Sequence, residues 1–192
     1  MRRLLITSSV VTLALGAFIV PVVSAGNSIS PTVQKILNFS RLTDHHEFLG
    51  RLKGKWNGSG TLKATANGVA EKVRCKAEYK LILGKRFVEQ KTTCKVAGQT
   101  VHGVGYFGYD LMNKSYVGTS MSSIDNGFSQ LVGRKKGKVI NFTITHNNTD
   151  IRKRVNSKAT LEISGNGRHK YKIFSKDKNG KNSVLFEISY SR

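Results

Sequence analysis

The sequence predicts an all-β protein, an up-and-down antiparallel barrel of about nine or ten strands preceded by one or two short helices. Three observations predict it. From Lys55 onward no stretch keeps a helical period. Runs of alternating polarity recur instead, broken by Gly, Asn and Asp roughly every ten residues. Two hairpins can also be registered pair by pair, and one of them sets its two cysteines face to face.

The chain opens with Arg2 and Arg3, continues through an apolar stretch from Leu4 to Val23, and reaches the small-residue site Val23-Ser24-Ala25. That order predicts a secretory signal peptide over residues 1–25, cleaved before Gly26, and a protein exported to the bacterial periplasm. No later segment is apolar for long enough to span a bilayer, so no transmembrane span is expected in the mature chain. Residues 26–54 form a helical lead-in and residues 55–192 the barrel. In the lead-in, Ser30-Pro31 starts a helix carrying Val33, Ile36 and Leu37. A second helix starts at Asp44, with Glu47 three residues on as a capping box, Phe48, Leu49 and Leu52 as its apolar stripe, and Gly54 as its stop.

Gly84-Lys85 suits a two-residue type II′ loop, which pairs Leu83 with Arg86. Under that register Cys75 lies opposite Cys94, Glu78 opposite Lys91, and Lys80 opposite Glu89. On the barrel-facing side Tyr79 meets Gln90 and Leu81 meets Val88. In an exported protein the default for Cys75 and Cys94 is one disulfide, closing a loop of about 20 residues and stabilising the fold by roughly 3 kcal/mol. The Asp177-Lys178-Asn179-Gly180 turn gives a second hairpin, pairing Ile173 with Val184, Tyr171 with Phe186 and His169 with Ile188. Further turns are signalled at Asn126-Gly127, at Lys135-Lys136-Gly137 and around Asn147-Asn148.

Gly103-Val104-Gly105-Tyr106-Phe107-Gly108 has the spacing of a dinucleotide fingerprint. Such a site needs a strand-to-helix turn, whereas this stretch lies inside a strand. Here the glycines are expected to permit tight barrel curvature or a bulge.

The chain holds 32 Lys and Arg against 11 Asp and Glu, a net charge of +21. That excess favours anionic surfaces, or merely solvates the outside of the barrel. Because the basic residues are spread along the chain, and no RNA- or DNA-binding motif occurs, no specific nucleic-acid partner is expected. Two thiols without a CxxC spacing predict no metal site. His45 and His46 are adjacent on a helix, pointing about 100° apart, and read as surface residues rather than a chelating pair. No G-x-S-x-G elbow or paired-carboxylate spacing stands out, so no catalytic residue, no enzyme activity and no cofactor are expected.

Phe48-Leu49-Gly50-Arg51-Leu52-Lys53-Gly54-Lys55-Trp56-Asn57-Gly58 resembles the opening of a calycin barrel, where a short helix leads into a G-x-W at the first strand. In lipocalins that Trp plugs one end of the barrel under a basic residue from near the C-terminal end. The resemblance gives Trp56 this structural role, with Arg192 over it. More closely, the chain is similar to a bacterial family of lipocalin-like proteins described as a domain of unknown function. His46 to Trp56, Leu83 to Val88, Gly105 to Asp110 with Lys114 and Tyr116, and Phe186 to Arg192 carry that similarity. The chain departs from the family in its cysteine pair, its charge, and Ser122-Ser123 in place of a Trp-x-Asp. A related barrel group binds haem through a His near its last strand; no His follows His169, so haem is not expected.

The implied protein is a periplasmic lipocalin-like binder of a small, mainly apolar ligand, with Tyr79, Gln90, His169 and Tyr171 as polar handles in the barrel. Alternatively those four groups hydrogen-bond one another in a filled core. The other functional expectation is an envelope module whose basic outside, including Arg134-Lys135-Lys136 and Arg152-Lys153-Arg154, holds anionic polysaccharide or lipid headgroups.

Overall fold

A computed structural model describes residues 29–148, 152–176, 180 and 182–192. The proposed leader at residues 1–25 lies outside the described residues, as does most of the turn at residues 177–181. Two helices, α1 (Pro31–Phe39) and α2 (Asp44–Gly50), precede ten strands: β1 (Gly54–Lys63), β2 (Ala70–Ile82), β3 (Phe87–Val96), β4 (Gln99–Asp110), β5 (Ser115–Ser122), β6 (Ser129–Lys136), β7 (Val139–Asn148), β8 (Lys153–Gly165), β9 (Arg168–Lys176) and β10 (Asn182–Ser191). Each strand pairs with its neighbours in sequence, and β1 also pairs with β10, so the sheet closes into a barrel without a free edge. Among the described residues no helix is long and apolar enough to cross a membrane.

Period-two alternation decides which side chains enter the barrel. Trp56, Cys75, Ala77, Tyr79, Val88, Phe107, Leu161 and Ile188 point inward and are buried, while the Lys-rich alternate positions face out. α2 closes one end by burying Phe48 and Leu49, and Leu52 completes the cap. Ser30 caps α1, its hydroxyl accepting from the Val33 amide at 3.3 Å.

The β2–β3 register is the expected one throughout, from Val73 opposite Val96 to Ile82 opposite Phe87, and Cys75 is bonded to Cys94. Two details differ. Gly84 and Lys85 both have positive φ, the type I′ pattern rather than II′. The charged residues do face one another, yet the close ion pairs run along the strands, Lys80 to Glu78 at 3.7 Å and Lys91 to Glu89 at 3.8 Å.

In the β9–β10 hairpin His169, Tyr171 and Ile173 share one face as expected, but their partners differ. His169 pairs with Tyr190 rather than Ile188, Tyr171 with Ile188 rather than Phe186, and Ile173 with Phe186 rather than Val184. A bulge between Val184 and Phe186 shifts the register along the strand. Beyond the bulge the slip amounts to two residues, which leaves His169, Tyr171 and Ile173 on their expected face; on the turn side Val184 pairs with Phe174, a slip of one that puts it on the opposite face from Ile173.

Three local expectations are also corrected. Thr43, not Asp44, caps α2, its backbone N–H donating to His46 Nδ1 at 3.1 Å; Glu47 stays exposed. Asn147 and Asn148 belong to β7, paired with Arg154 and Lys153, so neither lies in a turn. The glycine fingerprint lies in β4, whose pairing with β3 and β5 is continuous and unbulged.

Candidate functional site

A cavity of about 200 Å³ lies inside the barrel, walled by Tyr79, Gln90, Phe107, Ser120, Tyr171 and Ile188 among others. Among the described residues no Lys, Arg, His, Asp or Glu lines it. Absent side chains help to make the space. Gly103 is part of the wall, and a Cβ there would lie 2.7 Å from Thr92 Oγ1; at Gly105 it would press on Gln90 Oε1 at 3.2 Å. Gly103 and Gly105 therefore leave room for inward side chains of β3, and β4 carries no bulge.

Three of the four anticipated polar residues form one chain. Gln90 Nε2 donates to the Tyr79 hydroxyl oxygen at 2.9 Å, and that hydroxyl lies 3.1 Å from His169 Nε2. With the Tyr79 oxygen accepting from Gln90, its own proton is available to His169 Nε2, which leaves the imidazole proton on Nδ1. Among the described residues Nδ1 of His169 is a buried atom with no hydrogen-bond partner. Tyr171 stands apart in the cavity wall, edge-on to Phe186.

His169 does not line the cavity. Its ring is stacked on Tyr190 at 4.5 Å and meets the edge of Trp56 at 4.4 Å, so it belongs to the plug at the α2 end. Tyr190 reaches that position across Gly58, where a Cβ would lie 2.5 Å from the tyrosine ring. Burial first, and the charge of Arg192 second, hold the His169 pKa down at about 4. Burial also raises the hydroxyl pKa of Tyr79 well above its ordinary value, raises that of Tyr171, and pushes that of Tyr190 up to about 12. The polar handles are thus neutral at any physiological pH.

Trp56 donates its indole N–H to the Leu52 carbonyl at 2.7 Å, and the Arg192 guanidinium lies 4.3 Å from the centre of the Trp56 ring. Among the described residues no group of three His, Cys, Asp or Glu is placed to hold a metal.

A second cluster, read from the sequence as surface histidines, sits where α2 meets β4 and β5. His46 is buried. His45 stacks on Tyr109 at 3.9 Å, and its Nδ1 lies 2.8 Å from the Tyr116 hydroxyl. Burial, then Lys135, lowers the His45 pKa. α2 is laid on the barrel so that both rings find a partner there, each of them meeting Tyr109. The basic runs also separate: Arg134 to Lys136 ends β6 at the α2 end, whereas Lys153 and Arg154 begin β8 at the other.

The crystal structure of Rv2717c from M. tuberculosis is similar, with a TM-score of 0.58, 16% identity, and coverage of 79% of this chain and 99% of that one. The S-type phycobiliprotein lyase CPES from Guillardia theta is similar with a TM-score of 0.52 and 11% identity, over 81% of this chain and 96% of that one. At such identities the likeness is one of fold, a calycin-like barrel. Comparison with curated proteins gives no match. The DUF1579 model, described as a protein of unknown function, matches residues 41–192, which takes in the α2 cap and all ten strands, and the chain belongs to that family.

Proposed function

We propose that the protein is an exported, lipocalin-like binder that holds a small, uncharged, mainly apolar molecule inside its barrel, without turnover. One observation carries the reading: a chain of net charge +21 holds a cavity with no charged side chain among the described residues of its wall. A charged guest would lose its hydration and find no counter-charge. A neutral one would find aromatic walls, the Gln90 amide and tyrosine hydroxyls that stay protonated. The volume suits a single substituted ring or a short branched chain, since an apolar void of about 150 Å³ already takes up benzene. The Cys75–Cys94 bond supports export, because disulfides persist in oxidising compartments.

The test is native mass spectrometry of the protein purified from its own cell envelope. The expected result is a bound mass on the order of 100 Da that survives high salt, the size such a void accepts. Ser120→Phe, which fills the cavity from its wall, should abolish that mass while near-ultraviolet circular dichroism stays native. A protein that comes through bare in both forms would count against an interior ligand.

A further inference from the structure

The outside of the α1 end poses a separate problem, independent of any interior ligand. α1 buries none of its residues. Val33, Ile36 and Leu37 lie at helical spacing and are 45%, 62% and 45% exposed, with Ile29 and Leu42 exposed beside them in sequence. A nine-residue helix is marginal alone in water, and an amphipathic one gains most of its stability from covering its apolar face. Among the described residues nothing buries this one. The apolar surface continues onto the barrel, where Phe39, Phe87 and Met112 line one hollow of about 350 Å³ together with Arg41 and Arg86. Phe39 is 56% exposed and Met112 74%.

The charge carried by the α1 segment is basic. Residues 29–43 include Lys35 and Arg41 and no acid. Arg86 donates from Nε to the Ser40 carbonyl at 2.5 Å, which ties the segment after α1 to the barrel rim. Among the described residues the one acid lining the hollow, Asp110, accepts from the Met112 and Asn113 amides and from the Asn113 side chain, so its carboxylate is engaged by its own turn.

The combination selects the partner. A soluble polyanion would satisfy the cations and leave the apolar stripe wet. A second copy of the chain would bring another +21 against this face. An anionic bilayer offers both an apolar phase at the depth of the acyl boundary and phosphates above it. We propose that α1 and the hollow beneath it form a docking surface for an anionic phospholipid membrane, with Val33, Ile36, Leu37 and Phe39 entering the interface and Lys35, Arg41 and Arg86 meeting the headgroups.

Flotation of the full chain, as recovered after export, with vesicles of phosphatidylglycerol and phosphatidylethanolamine tests this. Binding should be at least tenfold weaker to phosphatidylcholine vesicles. Ile36→Gln with Leu37→Gln keeps the charge constant and touches no buried residue, so the barrel stays folded; it should weaken binding at least tenfold. Phe39→Trp adds an exposed indole to the buried Trp56, and its emission should move to the blue on anionic vesicles. All variants share the same N-terminal residues, so any contribution from residues 1–28 is common to them. Flotation unchanged by the Gln pair, equal binding to neutral vesicles, or an unshifted Phe39→Trp emission would each overturn the proposal. So would a wild-type dimer in solution that the Gln pair dissolves, which would assign the surface to a second copy.

Discussion

The Tyr79 hydroxyl lies 3.1 Å from His169 Nε2 while accepting the Gln90 amide at 2.9 Å, so one oxygen joins the wall of the cavity to the plug beneath it. Tyr79→Phe removes that oxygen and leaves His169 Nε2 without its partner in the core. A buried polar group left unpaired costs about 1–3 kcal/mol, which urea unfolding would show as a lower midpoint at unchanged slope. Tyr171→Phe is the control, since the Tyr171 hydroxyl lies outside the chain; its cost should be clearly smaller. Equal losses for the two variants would show that the bridge contributes nothing special.

The same plug makes stability depend on pH. His169 has a folded pKa of about 4 against an ordinary value of 6.5. Between these values the unfolded chain takes up a proton that the folded protein refuses. The contribution is therefore fully present above pH 6.5 and is lost as pH falls through about 4, a total on the order of 3 kcal/mol. His45 and His46 are shifted in the same direction and add to the same slope. His169→Gln, which keeps a polar partner for Tyr79, should flatten the unfolding free energy across this window in part, leaving the share of the α2 histidines. A profile identical to wild type would mean that His169 is not held neutral by the fold.

The hairpin of β2 and β3 was legible because three separate constraints, the cysteines, the facing charges and the apolar alternation, agree on a single register. The β9–β10 hairpin offered alternation alone. A bulge beside Leu185 left the faces of His169 and Tyr171 right and their partners wrong, because alternation is blind to a slip of two. The cavity was hidden for a different reason. Gly103 and Ser120 contribute space by lacking bulk, and space has no meaning until the sheet closes and sets β4 and β5 across from β9 and β10. His46 is buried and packs against Tyr109 of β4, a neighbour that the sequence does not place beside it. With α1 the apolar period was plain, but a period says that a face exists, not what covers it.

The covalent tie between β2 and β3 should matter as much as the buried bridge. Cys75 and Cys94 are 19 residues apart, and in the chain-entropy model a loop of that length corresponds to about 3 kcal/mol. Because the pairing from Val73–Val96 to Ile82–Phe87 does not depend on the bond, the reduced protein should still fold. Its melting temperature should fall by roughly 6–12 °C, at a few degrees per kcal/mol for a domain of this size. Cys75→Ser with Cys94→Ser should reproduce the shift without reductant. A melting temperature indifferent to both treatments would place the gain elsewhere.

The α2 end offers a test that reads a single site, because Trp56 is the one tryptophan in the chain. Its ring is 3% exposed, with the Arg192 guanidinium 4.3 Å from its centre. Arg192 also donates from Nη2 to the Arg51 carbonyl at 3.1 Å and to the Lys53 carbonyl, so it pins the link between α2 and β1 to the far end of the chain. Because the guanidinium is itself exposed, Arg192→Ala should cost only about 1 kcal/mol, from the cation–π contact and the lost hydrogen bonds together. The emission of Trp56 should shift to the red, and its indole proton, bonded to the Leu52 carbonyl, should exchange faster. Arg192→Lys keeps the charge but not the planar guanidinium that covers the ring while its Nη2 reaches two carbonyls, and should recover less than half of either change. Full recovery by lysine would mean that charge over the ring suffices; no change in either variant would mean that the rim is held by Trp56 and Leu52 alone.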